Sequence, residues 1–212
     1  MIKILKKWAN HLFPHERSLV GKGSLKTLKF IKNNINKNFK IEKIKSGSQS
    51  FSWTIPKEFL PSYGVLKDED GKVICDFKKN SLHIMKSSVS VNKWLNYNDL
   101  KKHIFVSKRV SSAIPFVSSY YKKNWGFCLS NKTFLKLDKK KKYHAEIKSN
   151  FFSGNMYYSE MLIKGKSKKE ILICSYICHP SLANDNLSGI LAISMLSKLL
   201  KKSKYSIRLL LI

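Results

Sequence analysis

His179 and Asp185 are the residues of this chain whose types and spacing best suit chemistry. They lie in the run Cys174-Ser175-Tyr176-Ile177-Cys178-His179-Pro180-Ser181-Leu182-Ala183-Asn184-Asp185-Asn186-Leu187-Ser188-Gly189. An apolar segment at 170–177 precedes them and another at 186–201 follows, which predicts a strand, a turn and a helix. An imidazole and a carboxylate would thus sit at the carboxyl end of a strand, in the crevice where open α/β sheets collect ligands and metals. These are the nitrogen and oxygen donors that a zinc-type divalent ion takes. A closed zinc site needs three or four such ligands, however. A His-Pro turn before a helix start rich in Asn and Asp also occurs without function, because those side chains accept the free helix N–H groups. On the residues alone both readings stand.

The elements around the run determine whether the pair is held in place. Leu19, Leu25, Leu28, Ile31 and Ile35 recur at helical spacing and predict an amphipathic helix over 24–33. Residues 40–45 read as a strand. From 53 to 138 short apolar runs alternate with turn signals such as Asp68-Glu69-Asp70-Gly71 and Ser130-Asn131-Lys132, which predicts a mainly β module. Within it Asn96 is a candidate cap for a short helix over 97–104. After 143 the texture changes to strands at 143–149, 156–163, 170–177 and 206–212. The helix between the last two requires them to pair in parallel.

Composition narrows the function class. The chain has 212 residues, 43% of them hydrophobic, enough for one or two packed domains. Its net charge is +28, from 41 basic against 13 acidic residues. Only Arg17, Arg109 and Arg208 are arginine, whereas phosphate and base recognition favour the bidentate arginine fork. The lysines are dispersed, so the expectation is a solvated surface and no specific nucleic-acid partner. No apolar run reaches the about 18 residues that a membrane span needs. The amino terminus also lacks the pattern of a signal peptide, so a cytoplasmic location is expected. Cys75, Cys128, Cys174 and Cys178 form no paired motif and are expected to be free thiols, the last two as small buried hydrophobes on one strand face.

The run ICHPSLANDNLSG resembles the first metal-binding loop of the co-catalytic zinc aminopeptidases, a clan that includes bacterial leucyl aminopeptidase. It resembles more closely the aminopeptidase-like proteins of surface-polysaccharide gene clusters. That likeness extends in order through Phe13-Pro14-His15-Glu16-Arg17-Ser18-Leu19-Val20-Gly21, Ser52-Trp53-Thr54-Ile55-Pro56, Asn80-Ser81-Leu82-His83, Ile114-Pro115-Phe116-Val117-Ser118-Ser119-Tyr120-Tyr121 and Trp125-Gly126-Phe127-Cys128. It implies that His179 is the first metal ligand and Asp185 the carboxylate bridging two zinc ions. Asn184 and Asn186 would orient that carboxylate. Many of these peptidases carry an Asp two residues after the first ligand to hold its ring; here that position is Ser181, and a hydroxyl cannot stabilise charge on the ring as a carboxylate does.

The resemblance also implies a fold, an incomplete zinc-peptidase-like three-layer α/β sheet with an inserted mainly β module. Residues 1–52 would be its first elements, 53–138 the insertion and 139–212 the α/β core. The family's general-base Glu, its remaining ligands and a terminal winged-helix domain would follow Ile212. No catalytic residue is therefore expected within these residues, zinc binding should be weak or absent, and the expected partner is a downstream half of the same enzyme. The implied function is a zinc-dependent, aminopeptidase-like hydrolase of amide bonds linked to polysaccharide biosynthesis, inactive as this truncated chain. The alternative is a non-catalytic remnant or subunit that binds a partner or an anionic glycan through the β module. Tyr120, Trp125 and His83 are candidates to line a substrate pocket. His11, His15, His103 and His144 show no metal-ligand spacing.

Overall fold

A computed structural model describes residues 1–212. In chain order it contains α1 (Ile2–Leu12), α2 (Lys22–Asn34), β1 (Lys40–Lys45), the hairpin of β2 (Gln49–Ser50) and β3 (Trp53–Thr54), β4 (Glu58–Asp68), β5 (Val73–Asp76) and β6 (Val91–Asn96). There follow α3 (Tyr97–Lys101), β7 (Ile104–Phe105), β8 (Phe127–Cys128), α4 (Asn131–Phe134), β9 (Lys142–Phe152), β10 (Asn155–Ile163), β11 (Glu170–Ser175), α5 (Ser188–Leu199) and β12 (Ser206–Leu211). The chain forms two compact units, one of Met1–Glu58 with Ser153–Ile212 and one of Phe59–Phe152. No helix is long and apolar enough to cross a membrane.

The first unit is built on a four-stranded sheet of order β1-β10-β12-β11. Strand β12 buries Ile207, Leu209 and Leu211 on one face. On the other, Arg208 donates to Glu160 of β10 and to Glu170 of β11, each at 2.6 Å. This ion pair across three strands opposes slippage, because a shift of one residue would turn the guanidinium toward the apolar layer. The Arg208 hydrogen bond also holds the Glu170 carboxyl below its ordinary pKa.

Helices α1, α2 and α5 supply the rest of that core. Trp8 and Leu12 of α1, Leu28 and Ile31 of α2, and Ile190 and Ile193 of α5 pack in one cluster with Met161, Ile163, Leu209 and Leu211 of the sheet. Their i, i+3 and i, i+4 spacing turns one stripe of each helix inward. The start of α2 has no side-chain cap of its own; the buried Glu58 carboxylate accepts from the Lys22 N–H at 3.2 Å and takes that role. Gly23 lets α2 approach the preceding segment, since a Cβ there would stand 1.8 Å from the Glu16 carbonyl oxygen.

Strands β11 and β12 are parallel, from Glu170 opposite Ser206 to Ser175 opposite Leu211, and α5 connects them. This is the crossover that the sequence predicts. The helix begins at Ser188 rather than at 186, because Asp185 and Asn186 have non-helical backbone angles within a wide turn over Ala183–Leu187.

The second unit is mainly β, with a four-stranded sheet of order β5-β4-β9-β6. Leu66, Leu100, Phe127, Leu129, Tyr143, Ala145 and Ile147 form its core. Asn96 caps α3 as expected, its side-chain oxygen accepting from the Asp99 N–H at 2.9 Å. The unit's limits differ from the 53–138 read from composition. Its carboxyl end extends to 152 because the strand assigned to the α/β core at 143–149 instead pairs with β6 and buries Tyr143, Ala145 and Ile147 here. At the other end Ile55 packs against Val20 and Met156 of the first unit, so the hairpin of β2 and β3 belongs there.

His15 links this packing to pH. Its Nδ1 lies 3.0 Å from Thr27 Oγ1, and burial, reinforced by the neighbouring His11, Arg17 and Lys26, lowers its pKa from 6.5 to about 4. The folded state therefore keeps the ring neutral where the unfolded chain protonates it. Its contribution is complete above pH 6.5 and disappears as pH falls toward 4. Discounted for the ring's partial exposure, it amounts to about 1–2 kcal/mol. Urea denaturation at several pH values should show stability falling across this window in the wild type. The fall should be shallower in His15→Asn; equal slopes would contradict the assignment.

Candidate metal centre

Beyond Ser175 the chain leaves β11 but stays anchored to β12. The Ile177 N–H donates to the Ile212 carbonyl at 2.7 Å, and the Ile212 N–H to the Ser175 carbonyl at 3.0 Å. Ile177 is buried, and the turn that follows carries His179 at the carboxyl end of the strand. Ser181 adopts a φ of 48°, a left-handed conformation uncommon for a residue with a Cβ. The chain then reverses through Ala183–Leu187 into α5. Gly189 lets the first turn of α5 close on the strand end, since a Cβ there would lie 2.4 Å from Ser175 Oγ.

The turn brings His179 and Asp185 together. His179 Nδ1 lies 3.8 Å from Asp185 Oδ1, with 22% of the His179 side chain and 66% of that of Asp185 exposed. The separation is too long for a hydrogen bond. It is short enough for one ion to bond both atoms at about 2.0–2.2 Å. The Cys178 sulfur stands 3.6 Å from the same ring nitrogen. No group of three or more His, Cys, Asp or Glu side chains that could hold a metal ion is present among the described residues. The turn thus brings together two candidate donors, fewer than the three or four of a closed zinc site.

The asparagines that flank Asp185 make contacts within the turn. Asn186 is buried, and its amide donates to the Tyr176 carbonyl rather than to the Asp185 carboxylate. Its side-chain oxygen is buried without a hydrogen-bond partner. Asn186 thus fastens the turn to the strand end and fixes Asp185 through the backbone. Asn184 is exposed, and its backbone carbonyl accepts from Ser188 Oγ at 2.8 Å. Sequence reasoning gave Arg17 no role of its own, although it is fully buried and its Nε donates to the His179 carbonyl at 3.0 Å. The only signal in the sequence was an arginine where lysine is otherwise the rule.

The pocket candidates belong to the second unit. His83 Nδ1 lies 2.9 Å from the Cys128 carbonyl, and burial lowers its pKa. Trp125 stacks on His103 with ring centres 3.8 Å apart and packs on the unit's core, while Tyr120 is half-buried. Among the other histidines, His11 stacks on Phe30 and His144 lies 2.7 Å from Asn92 Oδ1. All four cysteines are free thiols, but Cys174 and Cys178 are not the buried pair expected. Strand β11 lies at the edge of its sheet, which exposes Cys174 together with Ile171, Leu172 and the following Tyr176, and Cys178 falls beyond the strand end.

A family profile described as a domain of unknown function, DUF4910, matches residues 6–212. A Clostridium acetobutylicum protein named as a polysaccharide biosynthesis protein with an aminopeptidase-like domain is 39% identical over 201 residues, 94% of this chain and 46% of that protein. A crystal structure from the same species, titled as a peptidase, superposes with a TM-score of 0.88 at 37% identity, covering 99% of this chain and 49% of that one. A zinc aminopeptidase from Bacillus subtilis superposes with a TM-score of 0.63 at 14% identity, covering 99% of this chain and 59% of its own, a likeness of fold. The chain spans about half the length of the Clostridium relatives it matches.

The Asn186 tie can be tested apart from metal. Asn186→Ala removes the donor to Tyr176 but also the unsatisfied oxygen, so the net loss of stability should be about 1 kcal/mol. Hydrogen exchange of 178–188 should quicken more than that of β12. Unchanged exchange in that turn would show that Asn186 does not hold it.

Proposed function

The chain belongs to the DUF4910 family, and from that premise we propose that it forms part of a zinc-dependent, aminopeptidase-like hydrolase of amide bonds that serves polysaccharide biosynthesis. The observation that carries this reading is the approach of His179 Nδ1 to Asp185 Oδ1, at 3.8 Å, at the carboxyl end of β11. His179 would hold one ligand position with a ring nitrogen. Asp185, having two carboxylate oxygens, would bridge two ions. Zinc, when bound, supplies a Lewis acid and lowers the pKa of a coordinated water toward neutrality. The chain's own part is to keep the imidazole and the carboxylate facing one side of a turn that α5 and β11 anchor.

Two donors cannot hold an ion as four do, so tight binding and turnover would need further groups. On this reading those groups would come from the part of the Clostridium relatives' length that this chain does not span. The exposed edge of β11, with Ile171, Leu172 and Tyr176, supports a docking place for that remainder, because an uncovered apolar strand edge invites another strand or a covering layer. The reading places the protein in the aminopeptidase-like class without the Asp that would support His179, since Ser181 stands at that position.

Calorimetric titration of the chain with zinc tests this. Weak binding is expected, with no measurable peptidase turnover. His179→Ala should abolish the binding and Asp185→Asn should weaken it. Adding, as a separate polypeptide, the corresponding remainder of the Clostridium protein should tighten binding in the wild type only. Tight zinc binding that survives His179→Ala would overturn the proposal.

A further inference from the structure

The geometry points to Arg17 as the positioning residue of this centre, one that sets the affinity of the His179 turn for a metal by holding its backbone from beneath. The inference rests on the reading of His179 as a ligand. Arg17 lies in the loop between α1 and α2 and is fully buried. Its Nε donates to the carbonyl of His179, a contact spanning 162 residues of chain, and its Nη1 donates to the Leu12 carbonyl at 2.5 Å. The guanidinium therefore joins the carboxyl end of α1 to the residue that carries the candidate ligand. A cation at a helix carboxyl end opposes the negative end of the helix dipole, so the bond to Leu12 is favourable by itself.

The bond to His179 has no such local purpose. Burial lowers the pKa of Arg17 to about 10, with Glu16 the first opposing influence, so it remains a cation at neutral pH. Its Nη2 is buried without a hydrogen-bond partner. A buried cation with an open donor is a poor device for stability, since apolar groups of similar volume often replace buried charges without loss. Closing α1 would need only one neutral donor. A planar fork is required when two divergent carbonyls, Leu12 and His179, must be held at fixed separation. Holding the His179 carbonyl restricts the backbone from which its ring projects, and Asn186 restricts Asp185 from the other side of the turn through Tyr176. Together they set the 3.8 Å gap that a metal would fill.

Groups that orient ligands without touching the ion typically change affinity by about 10–100-fold. Zinc affinity of the folded chain, measured by competition with a chromophoric chelator, should fall about tenfold in both Arg17→Met and Arg17→Lys. The lysine variant keeps the charge but cannot reach both carbonyls, so its failure to rescue separates geometry from electrostatics. A role confined to folding would lower the denaturation midpoint and leave the affinity of the folded protein unchanged. If Arg17→Met binds zinc like the wild type while His179→Ala does not, the positioning role is wrong and the site stands. If His179→Ala also binds normally, the site itself is wrong. Should the variants not fold, the wild type still decides the matter. With three arginines in the chain, the Nε–H resonance of Arg17 is assignable by nitrogen-15 NMR. It should shift on zinc addition, and an unmoved resonance would overturn the inference.

Discussion

The parallel pairing of β11 with β12 is the constraint from which the rest of the first unit follows. Two parallel strands cannot be joined by a tight turn, so the chain must leave the carboxyl end of one, cross a face of the sheet and return to the amino end of the other. Helix α5 makes that crossing, and its apolar stripe of Ile190 and Ile193 closes the core over Leu209 and Leu211. The turn between β11 and α5 is thereby forced to the sheet's carboxyl edge, with His179 and Asp185 on it. Backbone bonds between the strand ends and a glycine under the helix start make that turn compact. The candidate chemistry is a consequence of where a crossover has to begin.

Much of this was legible in the chain itself. The apolar run of β11, the helical spacing of α5 and the alternation of Ile207, Leu209 and Leu211 each report a local period, and together they require a parallel pair. The turn's His and Asp were legible for the same reason, because donors of the right type stood between two strongly patterned segments. The limits of the second unit were not. Strand β9 has the same alternating texture as the strands of the first unit, and a period of two does not say which sheet a strand joins. Only its register with β6, from Val91 opposite Ile147 to Asn96 opposite Lys142, assigns it.

Arg17 escaped notice, and the bond that Asn186 makes was not foreseen, for a different reason. Each acts through one side-chain bond to a backbone carbonyl, of His179 across 162 residues and of Tyr176 across ten. Such bonds leave no periodicity, because a carbonyl accepts whatever residue bears it. Burial of Cys174 was misjudged because a strand at the edge of a sheet has neighbours on one side only, and its outward residues stay exposed whatever their hydropathy.

The central claim is that His179 and Asp185 are ligands. Zinc K-edge X-ray absorption of the zinc-loaded chain tests it most directly, because it reports the atoms bound to the ion whatever the activity. The account predicts a shell of nitrogen and oxygen at about 2.0–2.2 Å with the outer scattering of a single imidazole. A zinc–sulfur shell near 2.3 Å, placing the ion on Cys178, or a spectrum without imidazole scattering, would contradict it.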